Sequence, residues 1–89
     1  EAQGALNMIF NNDIYRFGEV ELNKSTPLVG TRLSQAGIRE RTGLNIIAVR
    51  DTAGSYHYNV DVERNLQVGD VLIAIGTPTM LQKLGELCA

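Results

Sequence analysis

The sequence predicts a small layered α+β domain, a β-α-β-β-β-α arrangement preceded by an extra N-terminal helix. Three patterns carry that expectation. Leu44 to Val49 and Asp70 to Ile75 are short runs rich in aliphatic and β-branched residues, as buried strands are. Glu19-Val20-Glu21-Leu22 alternates charged and apolar side chains, the period of a half-buried strand. Thr77-Pro78 followed by Leu81, Leu84 and Leu87 reads as a helix with proline at its first position and one apolar face. Strands clustered together with helices at the periphery pack as two layers.

Taken in order, Ala2, Ala5, Leu6, Ile9 and Phe10 fall at helical spacing, so a short helix is expected over residues 2–11, with Asn11-Asn12-Asp13 ending it. A strand follows from Ile14 to Leu22. Its apolar residues change parity, Tyr15 and Phe17 against Val20 and Leu22, and a bulge at Gly18 is expected to bring both pairs to one face. Asn23 to Pro27 is a turn. Thr31 is expected to cap a helix that turns Leu33 and Ala36 inward, and Gly37 and Gly43 each stop a short helical piece in the left-handed conformation. Leu44 to Val49 is expected to be buried on both faces. Asp51 to Ser55 is a hairpin loop, Tyr56 to Val62 its return strand, and Asn65-Leu66-Gln67-Val68-Gly69 a tight turn before the last strand.

With 89 residues the chain is one domain, and a domain of that size buries only about 60% of its unfolded surface. Cys88 is the only cysteine, so no disulfide within the chain supplements that core, and a lone thiol fits a reducing, intracellular compartment. Eight basic and ten acidic residues are interspersed. No basic stripe calls for nucleic acid, so none is expected as a partner. No apolar run is long enough to cross a bilayer, and no signal peptide is visible. The chain begins at Glu1 rather than methionine, so a longer protein is expected around it.

Catalytic chemistry finds little to stand on. His57, the only histidine, has no acid beside it at ligand spacing and reads as a surface residue of an edge strand. Cys88 is the penultimate residue, a poor platform for a nucleophile. Asp61 and Glu63 read as a solvated face, with a weak divalent-cation site as the alternative. Asp70 is expected to bond backbone amides of the preceding turn. No phosphate-binding glycine loop is present. We therefore expect neither a catalytic set nor a metal site. The run Arg39 to Val49 differs. Arg39 lies between two chain reversals, and Asn45 is polar in a strand expected to be buried. Either Asn45 caps the adjoining turn, or it reads a ligand or partner together with Arg39, with Ile46 as the apolar floor.

These pieces, in order, resemble the C-terminal lobe of RCK (regulator of potassium conductance) subunits, the TrkA-C domain. The resemblance rests on Glu19-Val20-Glu21-Leu22, on Leu28-Val29-Gly30-Thr31-Arg32-Leu33, on Ile38-Arg39 with Thr42-Gly43-Leu44-Asn45-Ile46-Ile47-Ala48-Val49, and on Leu66-Gln67-Val68-Gly69-Asp70-Val71-Leu72. Valines stand at positions 60 and 62, where the family often has prolines. The resemblance implies a connecting segment over residues 1–13 and a TrkA-C domain over residues 14–89. It implies a homodimer about a two-fold axis, in the cytoplasmic part of a membrane-associated protein. The partner is then a membrane-embedded potassium channel or transporter portion, in the same chain or a separate subunit. In some members cyclic di-AMP sits at the two-fold, held by an Arg and an Asn flanked by aliphatic side chains, and Arg39, Asn45 and Ile46 occupy the matching positions. The implied function is a regulatory domain coupling ligand binding to gating, with a purely structural dimerisation module as the alternative.

Overall fold

The computed structural model describes residues 8–10 and 12–89. Among these, β1 (Met8–Phe10), β2 (Asp13–Glu21), α1 (Leu33–Ala36), α2 (Ile38–Thr42), β3 (Asn45–Arg50), β4 (Tyr56–His57), β5 (Val71–Gly76) and α3 (Pro78–Leu87) follow in that order. The strands form one antiparallel sheet, β1-β2-β5-β3-β4, with β5 at its centre. This is the layered α+β fold the residue patterns predict.

One face of the sheet carries the core. Val20 and Leu22 of the β2 segment, Leu72 and Ala74 of β5 and Val49 of β3 meet Ala36, Ile38 and Leu84 from the helices, with Leu44 and Leu66 filling the space between. α3 packs directly on β2 and β5, and α2 packs on α3. Thr77 starts α3 as the sequence predicts: its hydroxyl accepts the Met80 N–H at 3.3 Å, and Pro78 follows.

Several expectations are corrected. The helix expected over residues 2–11 meets a strand at Met8–Phe10, paired Ile9↔Ile14 about a turn in which Asn12 has φ 69°; residues 1–7 and 11 lie outside the described part. An isolated ten-residue helix is marginal in water, whereas these residues find ladder partners on β2. No bulge occurs at Gly18. β2 keeps unbroken register with β5 from Arg16↔Gly76 to Glu21↔Val71. The glycine instead admits α3, since a Cβ there would lie 2.5 Å from Leu81 Cδ2. The parity change is therefore real, and Phe17 faces away from the core, 48% exposed. The irregularity falls in β3, between Ile46 and Ala48.

β3 is not buried on both faces either, because Asn45 and Ile47 are exposed. Thr31 does not cap α1. Its hydroxyl is spent on the Leu28 carbonyl at 2.7 Å, and Arg32 takes the cap position. The return strand ends at His57 because the following backbone bonds elsewhere: Ser34 N–H donates to the Val62 carbonyl and Glu63 N–H to Asp61 Oδ1. The hairpin loop is as expected, closed by Asp51 N–H to the Ser55 carbonyl at 2.9 Å.

Candidate ligand-binding groove

The short helices reverse the chain twice within a few residues. Gly37 has φ 65° and Gly43 φ 84°, so both stops are left-handed, as predicted. Between them Thr42 is buried and its hydroxyl works twice. It donates to the Ile38 carbonyl at 2.6 Å and accepts the Leu44 N–H at 3.1 Å. That single side chain joins the end of α2 to the start of β3. It thereby fixes Arg39, on α2, relative to Asn45, the first residue of β3.

The result is a groove of about 270 Å³ between α1, α2, the first half of β3 and the segment around Val60. Leu33, Ile38, Leu44, Ile46, Val60 and Val62 give it apolar walls; Ser34, Arg39, Glu40 and Asn45 supply its polar groups. All three residues singled out in the sequence, Arg39, Asn45 and Ile46, line it. Arg39 and Asn45 are exposed, and among the described residues neither side chain has an ion-pair or hydrogen-bond partner. Asn45 thus does not cap the adjoining turn; Thr42 does that work. The outer edge of Asn45 to Ala48 is also open, since β4 pairs only with Val49 and Arg50.

A smaller concavity of about 50 Å³ adjoins the groove and shares Leu33 and Val60 with it. His57 and Arg64 line it, and both are engaged with acids. His57 Nε2 lies 2.7 Å from Asp51 Oδ2, across the hairpin. The other Asp51 oxygen accepts the Ala53 and Ser55 N–H groups. The hydrogen bond from His57, followed by that from the Ser55 amide, holds the Asp51 carboxyl below its ordinary value. Sequence reading missed this pair because the two residues sit six apart. The visible signal was the glycine-containing loop between them, which folds the second strand back onto the first. Arg64 reaches Asp70 at 3.1 and 3.4 Å, and Asp70, fully buried, also accepts the Gln67 N–H as expected.

The remaining candidates disperse. Glu63 pairs with Arg32 on the surface at 3.4 Å, and Asp61 Oδ1 accepts the Glu63 N–H at 3.0 Å. Among the described residues no three His, Cys, Asp or Glu side chains are grouped to hold a metal. Cys88 is buried, and burial pushes its thiol up, away from nucleophilic chemistry. No helix among the described residues is long and apolar enough to cross a membrane.

Comparison with known proteins places this geometry. No curated protein matches the chain. Among solved structures, the RCK C domain of the potassium transport protein KtrA, in complex with cyclic diadenosine monophosphate, is 25% identical with a TM-score of 0.72 over 81% of each chain. The GsuK channel is 29% identical with a TM-score of 0.74; the match covers 93% of this chain and 15% of that one. The RCK_C domain dimer of BusR from S. agalactiae, in complex with c-di-AMP, shares the fold at 14% identity, with a TM-score of 0.72 over 80% of this chain and 92% of that one. BusR also corrects an expectation. It is found in complex with its busAB-promotor DNA, in a chain of which this one spans 34%. Nucleic acid is therefore not excluded as a partner of proteins built on this fold, because the charge balance of one lobe says nothing about the domains attached to it. The model of the TrkA-C domain matches residues 17–89, which include the whole groove, and the chain belongs to the TrkA-C domain family.

Proposed function

We propose that the chain is a regulatory lobe that binds a cyclic dinucleotide, cyclic di-AMP, between two copies of itself and couples that binding to the gating of a potassium channel or transporter. The observation that carries this reading is the pairing of unpartnered Arg39 and Asn45 side chains with an apolar wall at an open strand edge. Cyclic di-AMP has two phosphates and two adenines related by a two-fold. One groove of about 270 Å³ suits half of it. Two grooves facing across an axis would hold the whole. Arg39 supplies a fork of donors for a phosphate, Asn45 a donor and acceptor for an adenine edge, and Ile46 with Leu33 and Val60 an apolar surface for the base. The complexes of KtrA and BusR with this ligand support the choice.

In this reading the ligand acts by population shift: it touches both protomers, so it favours the arrangement in which the grooves face each other. Titration calorimetry with cyclic di-AMP, alongside cyclic di-GMP and AMP, tests it. Saturable binding of cyclic di-AMP is expected, at one ligand per two chains. Arg39→Ala and Asn45→Ala each lower the affinity about 10-fold or more, the scale of one charge-assisted or buried hydrogen bond. No heat at millimolar ligand, or unchanged affinity in both variants, overturns the reading.

A further inference from the structure

The charged residues that line the groove are Arg39 and Glu40, neighbours in α2. Among the described residues Glu40 has no ion-pair partner, so its carboxylate neither occupies Arg39 nor is itself neutralised. The carboxylate lies at the Gly37 end of the wall. A Cβ built on Gly37 would stand 3.8 Å from Glu40 Oε1 and 3.6 Å from Arg41 Cδ. Arg41 thus brings its aliphatic stem to that spot, and among the described residues it makes no ion pair with Glu40. A carboxylate beside a groove for phosphates lowers affinity, because like charges repel. Its presence there calls for a role of its own.

Given the cyclic di-AMP reading, on which this rests, we infer that Glu40 is a specificity determinant of the groove: it offsets the charge of Arg39, so that the groove takes phosphodiesters and disfavours the more highly charged phosphomonoesters. Arg39 alone would attract every negative charge a ligand brings. With Glu40 beside it the charges of the lining side chains sum to zero, and selection falls to shape and hydrogen bonds. The ligand class disfavoured follows from the chemistry of the ring. Water added across one ring phosphodiester breaks one P–O bond. It leaves a linear dinucleotide with a hydroxyl at one end and a phosphomonoester at the other. The two bases are unchanged, but the monoester carries roughly one more negative charge at pH 7 than the diester it came from. Beside Arg39 alone, the linear form would gain from that charge. Beside Arg39 and Glu40 together the extra charge brings no net gain, and the lobe distinguishes the intact ring from its opened product.

Titration calorimetry of the parent chain and of Glu40→Gln tests this, with cyclic di-AMP and with the linear 5′-phosphorylated dinucleotide. EDTA is present throughout, so that no divalent cation neutralises the carboxylate. Glutamine keeps the shape of the side chain and removes its charge. At low ionic strength, where screening is weak, a unit charge opposite a partly solvated carboxylate changes affinity about 5-fold. Both ligands are expected to bind Glu40→Gln more tightly than the parent chain, the linear form more so. The preference for the ring over the linear form therefore falls about 5-fold. At about 0.5 M potassium chloride that change is expected to shrink below about 2-fold, whereas an altered groove shape would not fade with salt. Circular dichroism melts establish that both chains are folded. A ring-to-linear preference that is the same in the parent chain and in Glu40→Gln, or that shifts equally at both salt concentrations, overturns the role of Glu40 and leaves the groove reading standing. Absence of cyclic di-AMP binding by the folded parent chain overturns the groove reading, and the role of Glu40 with it.

Discussion

Replacing Thr42 by valine tests how the groove is held. The two side chains are nearly equal in volume, so the substitution removes a hydroxyl and leaves no cavity. The Leu44 N–H then loses its acceptor at a residue that is 1% exposed, where water cannot take over. An unsatisfied buried donor costs about 1–3 kcal/mol. The loss of the Ile38 contact adds less, since that carbonyl sits within the α2 turn. We expect a loss of about 2 kcal/mol. At about 0.05–0.15 kcal/mol per residue, 89 residues have roughly 4–13 kcal/mol of total stability, so the change is easily measured. It corresponds to a Tm drop of about 8–16 °C. Thr42→Ser is the matched control. It keeps the hydroxyl and loses one methyl, a cost of about 0.8 kcal/mol. Urea unfolding followed by circular dichroism reads both, with an unchanged m-value showing that only stability moved. If Thr42 served only as apolar packing, valine would be neutral and serine the damaging change. A valine variant within 0.5 kcal/mol of the parent chain, with serine the less stable of the two, would refute the reasoning.

Other outcomes follow from the same geometry. Asp70→Ala strips the partner from Arg64 and the acceptor from the Gln67 N–H, and should cost about 3 kcal/mol by denaturant titration, the low end for a broken buried pair because the Arg64 side chain, 34% exposed, can still reach water. Asp51 has a depressed folded value, so its contribution is present above the ordinary carboxylate range and is lost as pH falls through the folded value; the protection of the Ala53 and Ser55 amides, measured against their intrinsic exchange rates, should fall at acid pH. In His57→Gln that loss of protection should begin at higher pH, because the largest cause of the depression is gone; an unchanged profile would count against the pairing. Cys88 should react with a thiol reagent at pH 8 only at the rate of unfolding, and a fast native-state reaction would contradict its burial.

How far the residues alone reached depended on whether each decision was local. Thr77-Pro78, the paired stops at Gly37 and Gly43, and the Asp51–Ser55 loop are decided by backbone preference within a few residues, and each formed as read. Gly18 was decided by α3, more than 60 positions away in the chain. A glycine at a parity change suits a bulge or a close helix approach equally well, and only the position of Leu81 separates the two. The N-terminal segment failed for a related reason: Ile9 and Phe10 fit both a helical face and a hairpin strand, and the presence of β2 decided between them.

The groove shows the same division at the level of function. Arg39, Asn45 and Ile46 were picked out because a polar residue stood where burial was expected, and that premise was wrong in detail, since β3 is open at Asn45. The argument does not turn on that premise, because a polar residue in an aliphatic run needs a reason in either case. Buried, it would need a partner within the fold. Exposed and unpartnered on an apolar wall, it is free to meet a partner from outside. Thr42 was invisible as a determinant because its role is to satisfy one amide across the turn that separates α2 from β3. Under the proposed function the two polar residues mark what the groove recognises, while Thr42 sets the distance between them, and substitution of each should separate affinity from stability.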